Sequence, residues 1–198
     1  MTEWLSYRPE DFILFSADAY YALFKNLNQE LWPAHIVAIA GSIFIVAMFT
    51  CAKPGIRRTI YLFLAAAWFV CGWYFHQQYY QTLNVGAVYF YYAFALQSAL
   101  LLIPVFYPAS LSPNYSSLRN LTGMVLIYIA LFAYPFILLL FGRPIFGVEL
   151  AGIAPDPTVL VTIGLLLVSK GKLLWVLLPV PVLWILMSST TQWVLLTS

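Results

Sequence analysis

The sequence predicts an all-α fold, a polytopic transmembrane helical bundle, on three observations. Of 198 residues, 63% are hydrophobic and only 8% are charged, where a soluble domain carries about 25% charge. The mean hydropathy is +0.88. The apolar residues form continuous runs rather than alternating ones, which indicates helices and not a barrel. A water-soluble chain of this size has no core large enough for so much apolar surface. A soluble enzyme, a nucleic-acid binder and a disordered chain are thereby excluded.

Residues 1–31 read as a segment apart from the bundle of residues 32–198. The start, Met1-Thr2-Glu3-Trp4, lacks the basic stretch of a signal peptide. From Ser16, a plausible N-cap, the residues Tyr20, Leu23, Phe24, Leu27 and Leu31 recur at helical spacing. Asp18, Lys25 and Glu30 fill intervening positions, so this reads as an amphipathic helix in the outer interface.

About 20 apolar residues are needed per crossing, and six candidates follow. The first is 32–51, opened by Trp32-Pro33 and closed by Lys53-Pro54-Gly55. The second is 59–77, the third 85–107 and the fourth 121–141. The fifth, 158–168, is too short to span alone. The sixth, 173–196, is broken by Pro179 and Pro181. With the first loop inside, Lys53, Arg57, Arg58, Arg119, Lys170 and Lys172 are cytoplasmic, six of the nine basic residues. All seven acidic residues fall on the other side. The basic bias sets the orientation and leaves both termini outside. Trp4, Trp32, Trp73, Tyr79, Tyr80 and Tyr107 fall near span ends, as an aromatic belt does.

No ionisable residue lies near the centre of any span, which disfavours a proton-coupled carrier. His35, His76, Glu30 and Asp156 all fall at the outer level. Their imidazoles and carboxylates suit a divalent metal, although no ligand pair has the spacing that fixes a site on one helix. The simpler reading is an interfacial histidine bonded to water, a headgroup or a loop carbonyl. Gln97, midway along the third span, needs a partner on another helix or lines a substrate path. Asn84 fits an N-cap. In Pro155-Asp156-Pro157-Thr158 the carboxylate reads as a helix cap and the proline as a first-turn residue, or the segment is a cation-sensing element. Ala65-Ala66-Ala67 and Gly72, with Ala93 and Ala95, permit close packing of the second and third spans. Cys51 and Cys71 form no metal or redox motif.

Together the residues resemble a family of uncharacterised bacterial multi-pass membrane proteins, a domain of unknown function. The likeness starts at Tyr7-Arg8-Pro9-Glu10-Asp11-Phe12 and Leu31-Trp32-Pro33-Ala34. It is densest around Trp68, Gly72, Tyr74 and His76, then Asn84, Ala87, Phe90, Phe94, Gln97 and Leu101. It resumes at Tyr134-Pro135, Phe146-Gly147, Pro155-Asp156-Pro157-Thr158, Ile163-Gly164-Leu165-Leu166-Leu167 and Pro181-Val182-Leu183-Trp184. The resemblance implies a helical bundle in a bacterial inner membrane and no activity. By that pattern Asp156 stands where a cysteine is usual, and a further hydrophobic segment is usual after the sixth.

The function this favours is an integral inner-membrane protein without catalysis of its own, an accessory or structural subunit of a larger membrane complex. Its partners are then lipids and other integral subunits or a second copy, with no nucleic acid and no cofactor beyond a divalent metal. A channel or carrier for a small uncharged solute or metal ion is the alternative, followed by an enzyme handling a lipid or quinone.

Overall fold

The computed structural model describes residues 13–49, 51, 53–114, 117–140 and 145–197. Trp4, the motif from Tyr7 to Phe12 and Arg143 lie outside them. Helix α1, Ala17–Glu30, starts where the Ser16 hydroxyl accepts the Ala19 amide at 3.2 Å. The expected apolar stripe is present, but Tyr20, Leu23, Phe24 and Leu27 are turned into the protein and not left for lipid. Phe24 stacks on Phe75 with centroids 5.0 Å apart, and Tyr20 meets the edges of Phe75 and Tyr80. That packing corrects Tyr80, which is buried and takes no part in an aromatic belt, whereas Trp32, Trp73 and Tyr107 are exposed.

The chain turns at Trp32-Pro33 into α2, Ala34–Met48. Helix α3, Pro54–Val70, continues into a π-helical stretch, Cys71–Tyr79, and one 3-10 turn, Tyr80–Thr82. Helix α4, Ala87–Leu101, is prolonged by the short α5, Ile103–Phe106. Asn84 does not cap α4. Its Oδ1 accepts the Gly86 amide at 2.8 Å in a local turn two residues long, and no side chain caps the helix. Helix α6, Ser117–Tyr128, passes through a second π-helical stretch, Ile129–Ala133, into α7, Tyr134–Leu140. Then come α8, Pro155–Leu167, the short α9, Leu174–Leu177, and α10, Pro179–Thr197. A two-residue antiparallel pair, Ser112–Pro113 against Ser169–Lys170, ties the α5–α6 loop to the end of α8.

Four helical runs among the described residues are long and apolar enough to cross a bilayer: Pro54–Thr82, Ala87–Phe106, Leu118–Ile137 and Leu174–Thr197. Two of the six expected spans lack that length by themselves. Helix α2 has 15 residues, because Trp32 and Pro33 go into the turn, and α8 has 13. Helices α1 and α2, bent by 95°, reach a fifth crossing only as a pair.

The short α8 is the axis on which the rest is packed. Ten of its positions are buried, from Pro155 to Leu166. Its closest neighbour is α6, where two glycines meet. A Cβ on Gly164 would fall 2.8 Å from the Gly123 carbonyl oxygen, and one on Gly123 would fall 2.7 Å from that of Gly164. The approach of α3 to α4 uses the small residues expected there: a Cβ on Gly72 would lie 3.1 Å from that of Phe94. The Ser98 hydroxyl donates across the same seam to the Ala65 carbonyl at 2.7 Å.

The segregation of charge is visible in the contacts. At one end Arg119 donates to the carbonyls of Leu166 and Ser169 at 3.3 and 3.0 Å, satisfying the C-terminus of α8 where a cation is favoured. At the other end Tyr79 donates to Glu30, and Asn28 donates to the carbonyls of Phe146 and Val148, both at 2.9 Å.

Candidate functional site

The site forms where α8 begins. Gly152, at φ +96°, turns the chain so that its amide donates to the Thr158 hydroxyl at 2.7 Å. That hydroxyl donates onward to the Ala154 carbonyl, also at 2.7 Å. Thr158 thus organises the first turn of α8, and Asp156 is released from capping. This corrects the sequence expectation: the helix starts at Pro155, and no side chain caps it.

The Asp156 carboxylate instead enters the bundle and accepts three donors from other elements. Trp184 Nε1 donates to Oδ1 at 2.8 Å. The Ser188 hydroxyl donates to Oδ2 at 2.7 Å, and the Tyr134 hydroxyl donates to the same oxygen at 2.9 Å. Trp184 and Ser188 sit one turn apart on one face of α10, and Tyr134 follows directly after the second π-helical stretch. One acceptor group therefore joins α7, α8 and α10.

A second polar line runs down the α3 side of α8. Trp68 Nε1 donates to the Thr162 hydroxyl at 2.8 Å, and that hydroxyl donates to the Thr158 carbonyl at 2.8 Å. Cys71 lies beside Thr158, its Sγ 3.6 Å from the hydroxyl and 3.4 Å from the Ile153 carbonyl oxygen to which it donates.

His76 packs against the Trp184 ring. It is fully buried, and neither ring nitrogen has a hydrogen-bond partner. Its walls are aromatic: Phe94 at 4.4 Å between centroids, Trp184 at 4.7 Å, Phe75 at 5.0 Å and Phe90 at 5.7 Å. The expected interfacial histidine, bonded to water or a headgroup, is thus replaced by one enclosed in rings. His76 lies on the same buried stripe as Trp68, Cys71, Gly72 and Phe75, and Phe90 and Phe94 of α4 with Trp184 of α10 close over it.

Gln97 has a structural explanation. Pro181 has no N–H, so the Leu177 carbonyl four residues earlier loses its intrahelical partner. Gln97 Nε2 donates to that carbonyl at 3.0 Å.

The four groups considered for a metal are not assembled into one set. Glu30 accepts from Tyr79, His35 Nε2 is 3.3 Å from Asn28 Oδ1, Asp156 is held by its three donors, and His76 touches Trp184 through its ring. The described residues contain no group of three or more His, Cys, Asp or Glu side chains arranged to hold a metal ion.

Compared with protein families, residues 17–196 match the family of unknown function DUF6064. The chain belongs to that family. No curated protein and no solved structure matches it.

Several residues that build this DUF6064 site carried no role in the sequence reading. Tyr134 and Trp184 entered only as part of the resemblance, and Ser188 not at all. The spacing of Trp184 and Ser188, four apart in an apolar helix, is the signal that pairs them on one face. Thr158 and Thr162 repeat that spacing on α8. Glu149, which is fully buried, was read only as an outer charge. Gly164 entered only as part of the resemblance, in Ile163-Gly164-Leu165-Leu166-Leu167, and Gly123 not at all, although the two meet where α6 crosses α8.

Proposed function

We propose that this DUF6064 protein is a non-catalytic integral subunit of a larger assembly in a bacterial cytoplasmic membrane, with both termini on the outer side. One observation carries the reading: Asp156, Trp68 and Gln97 in the interior each join one element to another, while many large apolar side chains besides those of the core face outward. Asp156 bonds to α7 and α10, Trp68 to α8 and Gln97 to the broken last helix. Such a network holds one arrangement rigidly, because each buried donor or acceptor that loses its partner costs about 1–3 kcal/mol. Outside, Ile36, Val37, Ile39 and Ile43 of α2 are exposed, as are Leu183, Leu186 and Trp193 of α10. Helix α2 buries only Ala38 and Ile45. It offers most of its circumference to lipid or to a neighbouring subunit.

Native mass spectrometry of protein drawn gently from its own membrane tests this. The expected spectrum contains heavier species of fixed stoichiometry that include a second integral protein. A monomer carrying lipid alone would overturn the reading. A carrier for a small uncharged solute is the second reading, favoured by the short α8 lying beside the proline-broken α9–α10 pair. Under it, Gln97→Leu abolishes flux into liposomes. Under the subunit reading there is no flux to abolish.

A further inference from the structure

Two cavities on the α4–α10 side share a wall. The first, about 190 Å³, is lined at its polar end by Tyr80, Asn84, Ser188 and Thr191. The second, about 300 Å³, is an apolar groove between α4 and α10, lined by Tyr89, Ala93, Val180 and Leu183 among others. Phe90, Trp184 and Met187 line both. Ala93 gives the groove its depth, since a larger side chain there would fill it. Together the two fall in the size range of small-molecule sites, about 300–1,000 Å³. The groove opens between two helices of membrane-spanning length, so its mouth faces the acyl chains.

The polar end has a definite hydrogen-bonding character. The Ser188 hydroxyl hydrogen goes to Asp156 at 2.7 Å, and the Thr191 hydrogen goes to the Met187 carbonyl at 3.0 Å. The Tyr80 hydroxyl is also bonded to Thr191, and the Ser188 and Thr191 oxygens each still retain one lone pair for a further donor. The Tyr80 oxygen already accepts from Asn84 Nδ2 at 3.3 Å. No charged side chain lines either cavity. The nearest carboxylate, Asp156, stands directly behind Ser188. That arrangement accepts from an O–H group, and it disfavours a phosphate or carboxylate, which would be desolvated beside a carboxylate with no cation to pair it.

We infer that this is a binding site for a neutral, hydroxyl-headed lipid of the diacylglycerol type. Its hydroxyl lies against Ser188 and Thr191, and its acyl chain leaves along the α4–α10 groove. This goes beyond the subunit reading and does not depend on it.

The test uses the full chain in phosphatidylcholine nanodiscs and a diacylglycerol carrying a diazirine on one acyl chain. The phosphatidic acid with the same chains is the comparator. After irradiation, the expected adducts fall on Phe90, Ala93 or Met187 and are displaced by unlabelled dioleoylglycerol. Phosphatidic acid is expected to label these positions about tenfold less, a difference of about 1.4 kcal/mol. Filling the groove with Ala93→Phe removes the adducts. Thr191→Val, which withdraws one hydrogen bond, weakens displacement about fivefold. Thermal unfolding checks that each variant stays folded, and Ala93→Leu serves if the larger side chain does not. Equal labelling by phosphatidic acid would overturn the inference. So would adducts spread over the outward faces at Tyr92 and Leu186 that dioleoylglycerol does not displace, or adducts at Met187 that survive groove filling in a folded variant.

Discussion

Removing the Asp156 carboxylate perturbs the interior most directly. Asp156→Ala leaves Trp184 Nε1 and the Ser188 hydroxyl, on side chains that are 5% and 4% exposed, without their acceptor. Each stranded buried donor costs about 1–3 kcal/mol, so the loss of two is about 2–6 kcal/mol. Tyr134 is only half-buried and is left out of that sum. For a chain of this length that corresponds to a fall in Tm of roughly 4–24 °C. Asp156→Asn separates geometry from acceptor count. Its amide oxygen keeps the Trp184 bond, and the Tyr134 and Ser188 hydroxyls rotate to accept from the new NH2, so the expected cost is about 1 kcal/mol. The assay is reversible unfolding of the full chain in mixed micelles, followed by near-ultraviolet circular dichroism. If Asp156→Ala lies within about 0.5 kcal/mol of wild type, as a surface substitution does, the carboxylate is not holding three helices together and the reasoning fails.

His76→Phe is expected to leave stability unchanged or to raise it by up to about 1 kcal/mol, because an unpartnered ring gives way to an apolar one of similar shape among aromatics. Loss of a partner's activity in that folded variant would assign His76 a role beyond packing. Gly164→Ala drives a methyl toward Gly123 and Ile127 and is expected to cost about 1–3 kcal/mol, measured by the same unfolding assay. Gln97→Leu strips the Leu177 carbonyl of its donor, and the expected loss is about 1–3 kcal/mol. Maleimide should modify the half-buried Cys51 in the folded protein and reach the buried Cys71 only after unfolding, read as one adduct and then two by intact mass.

What the sequence made legible follows from how local each signal is. Helix α1 could be placed because a hydroxyl cap and a 3.6-residue stripe lie within 16 residues of one another. The partner requirement of Gln97 was also legible, since an amide in an apolar run has few other options. Asp156 was misread for the same local reason: a carboxylate between two prolines has the pattern of a cap, while its true partners stand 22, 28 and 32 residues away. Helix α8 resembled a failed span because a helix apolar all round has no face to reveal what covers it. His76 was misplaced because its cover comes from Phe90, Phe94 and Trp184, distant residues that the four-residue spacing of Trp68, Gly72 and His76 does not reveal. The basic residues Arg119 and Lys170, by contrast, gathered at one end as their spacing between apolar runs required.

The central claim is that a buried Asp156 fastens α10 to the short α8 through the Trp184 indole. Hydrogen exchange of the seven tryptophan indole N–H groups, resolved by nuclear magnetic resonance of the protein in nanodiscs, tests it most directly. The account expects Trp184 and Trp68 to exchange orders of magnitude more slowly than the exposed Trp32, and Trp184 alone to lose that protection in Asp156→Ala. Rapid exchange at Trp184 in the wild-type protein, or protection that survives the removal of Asp156, would contradict it.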